Sequence, residues 1–280
     1  MPIKDLLVYL DETEAGSARL DLACAIAHKH GAHLIGLFVM DTAVPAMAGA
    51  ESGGLALAQL IEVMRADSLA AGQRVEATFR DKTRREGVAG EWRLVEGLTP
   101  QQVALHGRYA DLIILGQDSP DETVVAAGPT LEAALFTSGR PVLVVPYANS
   151  ATTIARRVLI GWNGKREATR AVNDALPLIA DADSVTVMVV NPEPGSDAHG
   201  EEPGADVARH LARHGVTVTV ERVVAPDLAP NDALLNRAAE TGADLIVIGG
   251  YGHSRLRELV LGGVTRGLLR HMTIPVLMSH

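Results

Sequence analysis

Only one cysteine occurs in the chain, Cys24, so neither an intrachain disulfide nor a multi-cysteine metal site can form. In LDLACAIAHKHG, Cys24 falls on what reads as the core face of a helix, where an unreactive buried thiol is expected rather than a redox nucleophile. Aromatic residues are scarce at 3%, which leaves Val, Ile, Leu and Ala to fill the core; that composition suits parallel sheets covered by Ala-rich helices. No basic tract stands out and the formal net charge is −9, which argues against nucleic acid as a partner while leaving room for a small anion that senses only local charge. No apolar run approaches the length of a membrane span, and MPIKDLLVYLDET enters a strand without a leader pattern, so a soluble, cytoplasmic protein with no membrane partner is expected. Also missing are a Gly-x-Ser-x-Gly elbow, paired catalytic carboxylates and any nucleophile–base–acid set, so no catalytic residue is assigned.

What is present is a repeat. ADLIILGQ at Ala110–Gln117 returns as ADLIVIGG at Ala243–Gly250, and SGRPVLVVP at Ser138–Pro146 returns as MTIPVLMSH at Met272–His280. DLLVYLDETEAGSARLDLACAIA at Asp5–Ala27 is echoed by RVLIGWNGKREATRAVNDALPLIA at Arg157–Ala180. The matches keep the same order in each half, as a duplicated unit requires. Two domains are expected, 1–150 and 151–280, joined near Ala148–Thr153.

Strands are placed at about Leu6–Leu10, His33–Met40, Glu91–Glu96, Leu112–Leu115 and Val142–Val145 in the first half, several of them short, continuous Val/Ile/Leu runs. The second half places them at about Val158–Trp162, Ser184–Val190, Thr217–Val224, Leu245–Ile248 and Pro275–Met278. Helical patterns cover Ser17–His30, Ala168–Ala180, Ala233–Thr241 and Thr265–His271, while the long segment after each second strand is left unassigned. Such alternation predicts an α/β protein of two tandem, doubly wound parallel sheets, with ligands bound beyond the carboxyl ends of the strands.

At one such edge the sequence reads DLIVIGGYGHSRLRELVLGGVTRGLL, with Gly249, Gly250 and Gly252 after a strand and Gly262–Gly263 before a helix. Glycine admits close backbone approach, and the amides of Gly263, Val264 and Thr265 would leave a helix N-terminus pointing at an anion. His253, Arg255 and Arg266 lie nearby in sequence. The bland reading is that the glycines only make turns and let a helix pack closely. The ending is not that of a Walker A loop, and a dinucleotide fingerprint would follow the first strand.

The stretch resembles the signature of the universal stress protein family: Gly, two residues, Gly, nine residues, then Gly followed by Ser or Thr. Gly249, Gly252 and Gly262 match; Gly263 stands where the hydroxyl residue is usual. The resemblance implies a tandem member with a Rossmann-like, adenine-nucleotide alpha-hydrolase-like fold. It also implies a nucleotide site in the second half built from Asn163, Val190, Gly249, Gly252, Gly262, Gly263, Val264 and Thr265. Candidate ligands are ATP and Mg2+, with no protein ligand to the metal assigned. Two departures stand out: Asn163 replaces the acid that contacts adenine or ribose, and Gly263 lacks the phosphate-binding hydroxyl. The first half keeps the acid at Asp11, and Val39 aligns with the valine whose backbone reads the base. Its phosphate loop, GQDSPDETVVAAGPT, has lost the second glycine and carries Asp118, Asp121 and Glu122, which would repel a polyphosphate unless a metal intervened.

Other features read more plainly. His210 and His214 sit four apart on a helix and could share a metal, but no third ligand is fixed by spacing, so a solvent-facing surface is expected. His28, His30 and His33 straddle a helix end, GAESGG at 49–54 reads as a connection, and NPEPGSDAHGEEPG at 191–204 as an acidic loop able to cover the second-half site. Three functions remain open. The first is a stress-response regulatory module binding ATP in the C-terminal half, with protein partners. The second is an interaction scaffold that has lost nucleotide binding, and the third is at most a slow ATPase. Relatives imply pairing through the last strands, Val142–Val145 with Pro275–Met278, within one chain or across a homodimer.

Overall fold

The computed structural model describes residues 2–41, 54–117, 127–148, 153–192, 202–250 and 263–280. In the first half, strands β1 (Asp5–Tyr9), β2 (His33–Asp41), β3 (Gly90–Gly97), β4 (Leu112–Gly116) and β5 (Val142–Val145) alternate with helices α1 (Glu14–His30), α2 (Gly54–Glu86), α3 (Thr99–Gly107) and α4 (Ala127–Thr137). The second half repeats the plan with β6 (Arg157–Gly161), α5 (Arg166–Ile179), β7 (Ser184–Val190), α6 (Ala205–Arg213), β8 (Val218–Val223), α7 (Pro230–Thr241), β9 (Leu245–Gly249), α8 (Gly263–His271) and β10 (Val276–Ser279). All ten strands form one sheet in the order β3-β2-β1-β4-β5-β10-β9-β6-β7-β8.

Within each half the pairing is parallel, and the halves meet where β10 runs antiparallel to β5, with Leu277 opposite Leu143. The last strands therefore pair inside one chain. The antiparallel seam turns the carboxyl edge of one half to the side on which the other presents its amino edge. The strands carry apolar side chains on both faces, as a sheet covered twice requires. One face packs under α1, α2, α5 and α6, the other under α3, α4, α7 and α8.

Local chemistry explains several boundaries. Thr13 caps α1 by accepting from the Gly16 amide at 2.8 Å, and Gly31 ends it at φ 59°, a left-handed angle that glycine adopts without a Cβ clash. The repeated ADLI motif has a repeated task. Asp111 accepts from the amides of Lys4 and Asp5, and Asp244 from those of Arg156 and Arg157, tying each fourth strand to the entry of its first.

The long segments after the second strands contain α2, of 33 residues, and α6, of nine, the helix that carries His210 and is capped by His214. Helix α2 buries Ala71, Val75 and Phe79, but every residue from 58 to 67 is exposed, so its first described turns lack the one-sided burial that marks an amphipathic helix. Cys24 is buried, and burial pushes its thiol up to about 12, so it stays protonated. His210 and His214 stack edge-on at 4.7 Å, and no metal-holding group of three or more ligands occurs among the described residues. No helix among those residues is long and apolar enough to cross a membrane.

Candidate functional site

The register of the second half brings three of the named positions into one row. Gly161 of β6 pairs with Met188 of β7 and Ile248 of β9. Asn163 lies two residues beyond Gly161, Val190 two beyond Met188 and Gly249 one beyond Ile248, so all three stand at the carboxyl edge on either side of β6. This is the point where a doubly wound sheet changes direction and opens a crevice. Helix α8 starts at the same edge, because it leads back through His271 into β10, which is parallel to β9.

Asn163 is exposed, and its Oδ1 accepts the Lys165 amide at 3.1 Å. That bond fixes which end of the amide faces the chain and leaves Nδ2 without a hydrogen-bond partner among the described residues. Lys165 and Arg166 follow at the start of α5. Val190 closes β7, and the next residue, Asn191, holds a left-handed φ of 48°. Its side chain pins that turn by accepting from the Ala225 amide at 2.7 Å and donating to the Ala225 carbonyl at 3.1 Å. Asn191 thus sets the backbone beside Val190. In sequence it reads only as the first residue of the acidic loop, although an Asn at a strand end is a known carrier of left-handed turns.

Gly249 has a packing task that needs no ligand. A Cβ there would lie 2.4 Å from the Ala168 nitrogen and 2.5 Å from the Glu167 carbonyl carbon, because the first turn of α5 rests on it. Gly250 is different: among the described residues the nearest atoms to a Cβ would be 3.6 Å away. The Gly250 amide donates to the Ser279 carbonyl at 2.8 Å. Gly263 and Val264 open α8, whose first N–H groups lack intrahelical acceptors, and Thr265 in that first turn is buried. Gly252 and Gly262 lie outside the described residues, as do His253 and Arg255.

The corresponding edge of the first half is filled from within. Leu10 and Trp162 donate to the carbonyls of Leu37 and Met188, which sets Val39 at the level of Val190. Asp11, however, forms an ion pair with Arg19 at 2.6 Å and accepts from the Thr13 amide at 3.1 Å and from the Thr13 hydroxyl. Arg19 is 3% exposed, and its Nε donates to the Tyr9 carbonyl at 2.7 Å. Its guanidinium lies so close to Gly116 that a Cβ there would sit 2.0 Å from Nη1. Burial pushes the Asp11 carboxyl up, but Arg19 and the Thr13 donors outweigh it and hold the group below its ordinary value of 3.8. The acidic residues Asp118, Asp121 and Glu122 lie outside the described residues.

Comparison with known proteins agrees with this architecture. A profile of the Universal stress protein family matches residues 155–280. A universal stress protein of Synechocystis is 29% identical over 175 residues, spanning 60% of this chain and 57% of that protein's length. One from Mycobacterium tuberculosis is 28% identical over 147 residues, 45% of this chain and 96% of its own. Among solved structures, a universal stress protein from Archaeoglobus fulgidus superposes with a TM-score of 0.73 at 18% identity, covering 98% of this chain and 95% of the other. A putative universal stress protein from Pseudomonas aeruginosa gives 0.60 at 17% identity, covering 99% and 93%. The shared fold extends across both halves, and the profile falls on the half that keeps the glycine stretch: residues 155–280 belong to the universal stress protein family.

Proposed function

We propose that the second half is a regulatory module that binds an adenine nucleotide, ATP, with Mg2+ carried on its phosphates. Asn163 offers a donor to the base or ribose, the backbone at Val190 faces the base, and the glycine stretch with the start of α8 receives the phosphates. The single observation that carries this reading is the row formed by Asn163, Val190 and Gly249 at the turning point of the sheet, with the N-terminus of α8 at the same edge. An exposed amide that can both donate and accept and a helix N-terminus suit a ligand that is part heterocycle and part anion. We further propose that residues 1–150 and 151–280 are separate domains, the first supporting the second, and that occupancy is read by a protein partner during stress.

A scaffold without nucleotide is the second reading, favoured by the contact between Gly249 and α5, which accounts for that glycine alone. Calorimetric titration with Mg·ATP separates the two. The proposal expects one saturable site per chain in the parent and none in Gly252→Val. A parent freed of any co-purified ligand that still takes up no ATP overturns it.

A further inference from the structure

We infer that Gln117, in the first half, is a positioning residue for α8, the helix assigned above to the phosphates; this rests on that assignment. Helix α8 has nine residues, a length of about 13 Å, and helices that short are marginal unless something holds their ends. Its last carbonyls have no intrahelical donors. Gln117 supplies them across the seam: Nε2 donates to the Leu269 carbonyl at 2.7 Å and to the Arg270 carbonyl at 3.4 Å, 152 and 153 residues away in sequence.

The amide is held at its other end too. The Tyr147 N–H donates to Gln117 Oε1 at 3.3 Å, and the Gln117 N–H donates to the Val145 carbonyl at 2.8 Å, continuing the β4–β5 ladder. Donor and acceptor ends of the side chain are thereby assigned by the same network. The repeat aligns Gln117 with Gly250, which has no side chain to send back. At that edge the Gly250 carbonyl instead meets the His280 ring, Nδ1 at 3.2 Å, and His280 stacks edge-on against Phe136 of α4. The position that is glycine in the second half has thus become, in the first, a clamp on the other half's helix. Donors at the negative end of α8 favour the helical state, and an intact α8 keeps the amides of Gly263, Val264 and Thr265 aimed together.

The test is a charge series, Gln117→Lys, Gln117→Ala and Gln117→Glu, read in two ways. Hydrogen exchange over Gly263–His271 in nucleotide-free protein should be slow in the parent and Gln117→Lys, faster in Gln117→Ala and fastest in Gln117→Glu, whose carboxylate faces carbonyl oxygens. Mg·ATP affinity should fall in the same order, by about threefold to tenfold for Gln117→Ala, the scale of one lost hydrogen bond. Rescue by Lys, which differs from Gln in shape but also donates, is a result that loss of packing would not give. Exchange that is flat across the series overturns the inference, as does a parent that binds ATP with an affinity indifferent to it. A parent that binds no ATP sinks the proposed function instead, and the exchange series then decides the clamp by itself.

Discussion

Asp11 and Asn163 stand at the same point of the two halves, and each accepts a backbone amide two residues further on, from Thr13 and Lys165, at 3.1 Å in both cases. The turn is shared and the chemistry behind it is not. Eight residues past Asp11 the helix carries Arg19, which the repeat aligns with Ala171, 1% exposed. In the first half the carboxylate is therefore engaged by a guanidinium and a threonine, and less of it is left to address a ligand. In the second half a neutral amide needs no counter-ion, and Asn163 stays exposed. Keeping the acid is thus no sign of a retained site, and losing it is no sign of a lost one.

The strongest way to break this comparison is to remove the internal partner. Arg19→Ala should cost about 3 kcal/mol, the lower end of the range for stranding one member of a buried pair, since the Asp11 side chain is 27% exposed. Denaturant unfolding checks it. Because the folded pKa of Asp11 is depressed, the folded state binds fewer protons than the unfolded chain, and the pair's contribution is complete above the unfolded value. It is lost as pH falls through the folded value. The difference between parent and variant should accordingly be full near neutrality and shrink below a pH of about 4. A difference that is constant with pH would mean that Arg19 acts through packing alone.

These details separate what a sequence displays from what it hides. The central strands were legible because burial on both faces demands near-continuous Val/Ile/Leu runs, and α1 because Gly31 and its preceding basic residues announce an end. Helix α2 escaped because residues 58–67, exposed all round, have no buried stripe to impose a period. The Arg19–Asp11 pair escaped because an arginine in a helix normally reads as surface, and nothing local says that it turns inward over Gly116. Gln117 escaped for a different reason: its partners are the carbonyls of Leu269 and Arg270, and a side chain that caps a backbone selects no residue type there. At the proposed site, the resemblance named Asn163, Val190 and Gly249, and the strand register puts them in one row. Which of those glycines packs and which stays open depends on where α5 lands, which no spacing records.

Two neighbouring glycines sharpen that last point. Gly249→Ala forces a methyl group onto the backbone of α5, where a rigid nitrogen rather than a flexible side chain must yield, and should cost about 2 kcal/mol. Gly250→Ala meets only ordinary contacts and should change stability by no more than about 0.5 kcal/mol. Thermal unfolding of the pair is the measurement. Equal losses would show that the strand end, and not the α5 contact, fixes glycine in both places.

The smallest expected stability effect belongs to Asn163→Asp, which copies into the second half the acid of the first without copying Arg19. The side chain is exposed, and a carboxylate can keep the bond to the Lys165 amide, so stability should move by less than about 0.5 kcal/mol. Affinity for Mg·ATP should nevertheless rise, by about threefold, because a charged acceptor binds a ribose hydroxyl more strongly than a neutral amide does. The comparison makes the sign informative. With Ala171 behind it, the new carboxylate has no internal guanidinium to satisfy it, so its free acceptors face the ligand. An affinity unchanged by the substitution would place the ligand away from Asn163, and the filled edge around Asp11 would then explain nothing about the open one.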